Sequence, residues 1–195
     1  MLVGVDFDNT IVSYDALLHR LAVERGLASA DLPATKRSVK AALSPDDWSL
    51  LQAAAYGERI DEATAFPGAV EFFRHARERG VECVVISHKT ERPFAGPDID
   101  LRAAALGWMR AAGIVRELLS EDRVHFGATP LQKAEHVRRL GCTHFVDDHV
   151  DFLTEFEFPD GIVRILFDPA AEHTQLPAGL ARAGSWAAVE RLVLE

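Results

Sequence analysis

Residues 2–11 read LVGVDFDNTI, a short apolar run that ends abruptly in two acids. The run predicts a buried strand of a parallel sheet, with Asp6 and Asp8 at the end that opens on solvent. Side chains two residues apart in an extended chain face the same way. Because two carboxylates so close repel each other, the pair indicates a metal ion, a shared proton, or both.

The same stretch also fits a surface turn in which Asp8 or Asn9 caps the next element. A calcium-binding loop fits less well, because its pattern needs glycine at the sixth position, where this chain has Ile11. This stretch alone is therefore compatible with both a metal site and a capping turn.

Four more strand-like runs follow, at residues 81–86, 123–126, 143–146 and 162–167. Helical patterns alternate with them at residues 68–79, 100–112, 130–140 and 185–194. This alternation predicts an α/β fold, a Rossmann-like three-layer structure with a parallel sheet between helices. In such sheets ligands bind beyond the carboxyl ends of the strands.

Residues 14–65 interrupt the alternation, because they contain helical patterns but no convincing strand. The patterns cover residues 15–25, 33–43 and 45–56, and Ser44-Pro45 has the form of a helix start. We predict a small helical cap inserted after the first strand, here called the insertion. Residues 1–13 and 66–195 then form the core.

Composition limits the possible functions. The chain has 195 residues, a formal net charge of −9 and 48% hydrophobic residues, which suits one domain plus a modest insertion. The negative charge argues against nucleic-acid partners, which favour basic patches. No apolar stretch is long enough for a membrane span, and Cys83 and Cys142 read as reduced core thiols. We therefore expect a cytoplasmic protein with no membrane partner.

Three other segments carry polar groups where chemistry is expected. Ser87, followed by His88 and Lys89, ends the second strand, and a hydroxyl there suits a phosphate oxygen. Lys133 lies in the first turn of a helix, where a cation is unfavourable unless an anion is near. Asp147-Asp148 end another strand and offer oxygen ligands to a hard cation. Each pattern alone also fits a structural turn or a solvated surface.

In order and context these segments resemble the four motifs of the haloacid dehalogenase (HAD) superfamily, across nearly the whole chain. Asp6-Phe7-Asp8-Asn9-Thr10 resembles the first motif, Ser87 the second, Lys133 the third and Asp147-Asp148 the fourth. The resemblance implies a HAD-like fold and a phosphatase that acts through an aspartyl-phosphate. It also implies that the insertion covers the site and determines specificity.

The resemblance implies a role for each matched residue. Asp6 would attack phosphorus, Asp8 would act as acid and base, and Ser87 and Lys133 would hold the phosphoryl group. Mg²⁺ would be bound by the Asp6 side chain, the Asp8 carbonyl and an acid of the fourth motif. Asp148 is the first choice for that acid, Asp147 the second, and Asp151 an outer partner. Thr10, His88 and Lys89 are further candidates for substrate contact, with Ser87 and Lys133.

The predicted function is Mg²⁺-dependent hydrolysis of a phosphomonoester on a small soluble metabolite, such as a sugar phosphate or nucleotide. Because relatives that dehalogenate lack an acid at the position of Asp8, the resemblance favours a phosphatase. Alternatives are a phosphomutase or phosphotransferase with the same nucleophile, and a module that binds phosphate without turnover. A receiver domain fits poorly, since its phosphorylated acid lies on a middle strand. The histidines lack zinc-site spacing, and the sequence leaves the oligomeric state open.

Overall fold

A computed structural model describes all 195 residues, which form eight strands and eight α-helices. The strands are β1 (Leu2–Val5), β2 (Val12–Ser13), β3 (Thr64–Ala65), β4 (Glu82–His88), β5 (Val124–Gly127), β6 (His144–Asp147), β7 (Val163–Phe167) and β8 (Leu180–Ala183). The helices are α1 (Asp15–Glu24), α2 (Lys36–Ala42), α3 (Pro45–Ala53), α4 (Ala69–Glu78), α5 (Leu101–Ala111), α6 (Pro130–Leu140), α7 (Val150–Glu155) and α8 (Trp186–Leu194).

Six strands form one parallel sheet in the order β5-β4-β1-β6-β7-β8. The chain first adds strands on one side of β1, through β4 to β5, and then returns to its other side with β6. Strand order therefore reverses around β1, and at such a point the loops after neighbouring strands separate and leave a crevice. The Rossmann-like α/β fold predicted from the sequence is confirmed.

Alternate residues of each strand point to opposite faces of the sheet. Helices pack against both faces. On β4, Cys83 and Val85 join the larger apolar cluster, whereas Val84 and Ile86 join the smaller one. The larger cluster also contains side chains of α4, α5 and α8, and the smaller one contains side chains of α6 and α7. Burial on both faces explains why these strands read as continuous apolar runs.

The insertion contains α1, α2 and α3, a π-helical turn over Ala54–Glu58 and a 3₁₀ turn over Ile60–Glu62. Its two ends meet, because β2 and β3 pair antiparallel. Trp108 of α5 donates its indole N–H to the Ala63 carbonyl at 2.9 Å. Leu17 and Trp48 of the insertion belong to the same apolar cluster as Val3 of β1.

Four of the strands and α-helices were not predicted: the two-residue strands β2 and β3, strand β8 and helix α7. Strand β8 has the sequence LARA and only one buried residue, so it lacks the apolar run that indicates a strand. Helix α7 has six residues, and the His149 side chain caps it by accepting from the Phe152 amide. None of the helices combines the length and the apolar character needed to traverse a bilayer.

Candidate active site

The loop after β1 holds the first two acids. The Asp6 amide donates to the Val146 carbonyl at 2.9 Å, so its backbone still belongs to the sheet. Its side chain is buried. Asn9 then adopts a φ of +59°, a left-handed conformation that asparagine tolerates better than most residues. The sheet therefore fixes Asp6, whereas Asp8 lies on the turn beside it.

A buried lysine joins two of the predicted motifs. Lys133 Nζ lies 2.7 Å from Asp6 Oδ1 and 2.6 Å from Asp147 Oδ2. All three side chains are buried, so each charge has lost most of its hydration. Because the two carboxylates would otherwise repel each other, the ammonium between them is what makes their burial tolerable.

The start of α6 determines where this lysine lies. The Thr129 hydroxyl accepts from the Gln132 amide at 3.2 Å, and Pro130 occupies the first turn. A Cβ on Gly127 would lie 2.6 Å from the Lys133 backbone nitrogen, closer than a side-chain carbon can approach. Because Gly127 has no side chain, the end of β5 can contact the first turn of α6. This contact places the Lys133 side chain beside Asp6 and Asp147.

The loop after β6 supplies two acids with different surroundings. Asp147 Oδ1 accepts from the His149 amide at 2.9 Å, and its other oxygen is bound to the lysine. Asp148 donates its amide to the Thr10 hydroxyl at 3.1 Å, and its carboxylate receives no hydrogen bond from the protein. Carboxylate oxygens of Asp6, Asp147 and Asp148 lie within 4.8 Å of one another. A group of oxygens so close suits a hard divalent cation.

Burial changes the acidity of two of these groups. It raises the pKa of Asp6 to about 6, although Lys133 opposes the change. It raises the pKa of Asp148 to about 8, and the carboxylates of Asp147 and Asp6 add to the effect. The protein alone therefore does not fully compensate the negative charge of this cluster. A bound cation would favour the ionised carboxylates.

We expect the metal-free protein to lose stability as the pH rises from about 5 to about 8. The unfolded chain has already released these two protons at such pH values, whereas the folded chain keeps that of Asp6 up to about pH 6 and that of Asp148 up to about pH 8, so a higher pH favours unfolding. Each group contributes a slope of at most about 1.4 kcal/mol per pH unit. Urea unfolding in EDTA measures it. Asp148→Asn should flatten the profile, and an unchanged slope in that variant would contradict the assignment.

The end of β4 places a hydroxyl and an imidazole beside the acids. Ser87 is 1% exposed, and its Oγ has no hydrogen-bond partner. A buried hydroxyl without a partner is costly, so this one is available to an oxygen of a ligand. His88 is largely exposed, with Nε2 3.2 Å from the Ala128 carbonyl, and partial desolvation of its ring lowers the pKa of His88. Its imidazole is therefore neutral at neutral pH.

Asp8 is bound by two buried side chains. Lys89 Nζ lies 2.9 Å from its Oδ1 and 2.8 Å from its Oδ2. Tyr14 donates its hydroxyl to Oδ1 at 2.7 Å. Tyr14 was not predicted as a site residue, because an aromatic residue at the start of a helical segment is usually a packing residue.

One cavity of about 460 Å³ collects most of the predicted residues. The residues predicted as catalytic all line it, namely Asp6, Asp8, Ser87 and Lys133. Asp147, Asp148 and His88 line it as well, and the insertion contributes Lys36, Gln52 and Tyr56. Asp151, predicted as an outer partner, is exposed at its rim. Separate segments of the chain thus converge on one space.

Two residues predicted to contact substrate do not line this cavity. Thr10 is fully buried, its hydroxyl accepts from the Asp148 amide, and its carbonyl accepts from the Trp186 indole N–H at 3.1 Å. Its position suits orientation of the loop after β6, which carries Asp148, rather than contact with a substrate. Lys89 is 3% exposed and lines a smaller neighbouring cavity, and its ammonium is bound to Asp8.

The fold and the site together define a class of protein. It is a Rossmann-like α/β protein with carboxylates, a hydroxyl and a lysine at the carboxyl edge of the sheet, beside the first strand. Solved structures identify the fold more closely, since those that match over nearly the whole chain are consistently HAD-superfamily hydrolases. The chain has the HAD-like fold, as the sequence resemblance implied.

Three of these structures illustrate the match. A HAD family hydrolase from Deinococcus radiodurans R1, with bound phosphate and sodium, has a TM-score of 0.60 at 18% identity, covering 98% of this chain and 94% of that one. The HAD-hydrolase YfnB from Bacillus subtilis, bound to magnesium, has a TM-score of 0.61 at 10% identity, covering 98% and 97%. The L-2-haloacid dehalogenase RSc1362 has a TM-score of 0.58 at 15% identity, covering 100% and 98%.

Comparison with protein-family models and with curated proteins gives no match. At identities below 20% the likeness to these solved structures establishes the fold alone.

Proposed function

We propose that the protein is a Mg²⁺-dependent phosphomonoester hydrolase that acts through an aspartyl-phosphate on Asp6. One observation carries the proposal: Asp6, Asp8, Ser87 and Lys133 line a single cavity at the carboxyl edge of the sheet. These groups provide a nucleophile, a proton carrier and two donors for a phosphoryl group. That set matches what phosphoryl transfer requires.

Asp6 is arranged to attack with one defined oxygen. Its Oδ1 accepts from Lys133, and its Oδ2 has no hydrogen-bond partner in the protein. Oδ2 would form the bond to phosphorus while the bond from phosphorus to the leaving oxygen breaks, and Asp8 would give that oxygen a proton. Water would then attack the phosphoryl group, return a proton to Asp8 and release Asp6. Lys133 and the Ser87 hydroxyl would hold the phosphoryl oxygens throughout.

The acidic cluster fits Mg²⁺. The oxygens of Asp6, Asp147 and Asp148 are the hard ligands that this ion prefers, and their close approach leaves negative charge to be compensated. Asp148 is the better ligand of the last pair, because both oxygens of Asp147 are already engaged. Asp6 and the Asp8 carbonyl would complete the protein ligands. The ion, when bound, would supply positive charge that stabilises the transferring phosphoryl group.

Asp8 distinguishes this reaction from dehalogenation, which is relevant because a haloacid dehalogenase shares the fold. A halide ion leaves without a proton, whereas an alkoxide needs one in order to leave. An acid in the cavity beside the nucleophile is therefore useful to a phosphatase and superfluous to a dehalogenase. Phosphomutase or phosphotransferase activity remains an alternative, because it uses the same nucleophile with a different acceptor.

The wall formed by the insertion supports a small polar substrate. Lys36 faces the cavity without a carboxylate partner within salt-bridge distance, beside the neutral Gln52 and Tyr56. Burial opposes its charge, but the negative charge of the site carboxylates acts in the other direction, and the pKa of Lys36 is raised. A cation kept charged there can bind an anionic substrate, and we assign specificity to this wall. Buried free thiols Cys83 and Cys142 fit a cytoplasmic location.

An assay with p-nitrophenyl phosphate tests the proposal. Phosphate release is expected in MgCl₂ and is expected to stop in EDTA, and a parallel reaction with L-2-chloropropionate should release no halide. Adding glycerol shows whether the phosphoryl group passes to an alcohol, which would favour the phosphotransferase. Halide release without metal would overturn the proposal, and so would phosphate release that EDTA leaves unchanged.

A further inference from the structure

Lys89 is held rigidly at the end of β4, outside the main cavity. Its amide donates to the Gly127 carbonyl at 2.9 Å, and its own carbonyl accepts from Arg102 Nε at 3.0 Å. Its Nζ lies 5.5 Å from the ring centre of Phe7 and 5.1 Å from that of Tyr56. Both the backbone and the ammonium are thus fixed, so this lysine is too constrained and too buried to follow a substrate.

The hydrogen bonds to Asp8 are unequally divided between its oxygens. Oδ1 accepts from Tyr14 at 2.7 Å and from Lys89 at 2.9 Å, whereas Oδ2 accepts only from Lys89, at 2.8 Å. An ionised carboxylate has about four acceptor positions, two on each oxygen. Oδ1 is therefore saturated, and Oδ2 keeps one position free. Asp8 lines the main cavity.

We propose that Lys89 is a positioning residue that presents Oδ2 of Asp8 as the oxygen that exchanges the proton. The inference rests on the proposed function and assigns a task to a lysine that touches neither substrate nor nucleophile. Lys89 holds both oxygens and so fixes the plane of the carboxylate, and Tyr14 determines which oxygen stays available. The proton moves from Oδ2 to the leaving oxygen, and a proton from the hydrolytic water returns to the same atom.

The chemistry of the leaving group separates this role from simple structural support. An alkoxide is a strong base and leaves only when a proton reaches it, whereas p-nitrophenolate is a weak base and leaves without one. A displaced Asp8 should therefore slow hydrolysis of an alkyl phosphate far more than that of p-nitrophenyl phosphate. General loss of folded protein would slow both reactions by the same factor.

The test compares kcat/KM for glycerol phosphate and p-nitrophenyl phosphate, at saturating Mg²⁺, in wild type and Lys89→Met. We expect the alkyl ester to lose about 10²-fold or more and the aryl ester less than about tenfold. Asp8→Asn should give the same selective loss, and the double variant should lose little more than either single one. Lys40→Met, which removes an exposed lysine that packs on Trp48, should leave both rates unchanged.

Equal losses on the two substrates would overturn the inference, as would losses that multiply in the double variant. Should Lys89→Met fail to fold, Tyr14→Phe decides the question, because it removes only the hydroxyl and keeps the ring stacked on Tyr56 at 4.1 Å. Tyr14→Phe should also lower kcat/KM more for the alkyl ester than for the aryl ester, but by a smaller factor than Lys89→Met. An equal loss of kcat/KM on the two esters would count against the inference. A wild type inactive on both esters would instead refute the proposed function, and the inference with it.

Discussion

Asp6→Asn is expected to reduce phosphate release by at least about 10³-fold, since an amide cannot serve as the attacking group. The side chain keeps its shape, so its oxygen can still accept from Lys133, and Asp147 retains the same ammonium. The fold should therefore persist while the chemistry stops. Steady-state rates with p-nitrophenyl phosphate and Mg²⁺ measure the effect, and a thermal melt of each protein verifies folding.

The matched control for this variant is Asp31→Asn, which makes the same chemical change at an exposed loop position without an ion pair. Its rate should equal that of wild type. An Asp6→Asn protein as active as the control would remove Asp6 as nucleophile. Trapping a phosphorylated protein in wild type but not in Asp6→Asn would support the covalent intermediate directly.

Lys133→Met is expected to lower the free energy of unfolding by about 3–5 kcal/mol in metal-free buffer near neutral pH. Methionine has a similar length, but it leaves the buried carboxylates of Asp6 and Asp147 without the cation between them. Urea unfolding followed by circular dichroism measures the loss. Phosphate release should also fall steeply, because the phosphoryl group loses a donor.

Lys40→Met serves as the control for this stability measurement as well. Lys40 is exposed and lies 5.8 Å from the ring centre of Trp48, so its removal should cost no more than about 1 kcal/mol. Similar losses of unfolding free energy in Lys133→Met and Lys40→Met would show that the buried ion pairs do not stabilise the fold more than a surface contact does. A large gap between them is the expected result.

The parts of the fold that the sequence predicts are those with strong local signals. The first strand and helix α6 lie where predicted, because one is an apolar run and the other begins with Thr129-Pro130. Strand β8 was not predicted because it is an edge strand with only one buried residue. It is stabilised by its pairing with β7. Helix α7 has only six residues, which is too few for a helical period of apolar residues to be recognised in the sequence.

The candidate site was predictable as a set of strand ends, but the pairing within it was not. Parallel strands bring Asp6, Ser87 and Asp147 to one edge, as the alternation of elements predicts. Lys89 was assigned to substrate because it follows Ser87 closely, yet it is bound to an acid 81 residues away in sequence. Thr10 was likewise assigned from its place in the first motif, and the partner of its hydroxyl is on another loop. Such contacts depend on tertiary packing, which local patterns do not encode.

The apolar cluster common to the insertion and the sheet has a thermodynamic consequence. Side chains of α1 and α3 share one continuous interior with β1 and α4, so neither part has a separate core. Pulling the insertion away would expose apolar surface on both parts, at roughly 25 cal/mol for each Å² uncovered. Melting should therefore be a single cooperative event, and deleting residues 14–65 would leave an incomplete interior rather than a minimal enzyme.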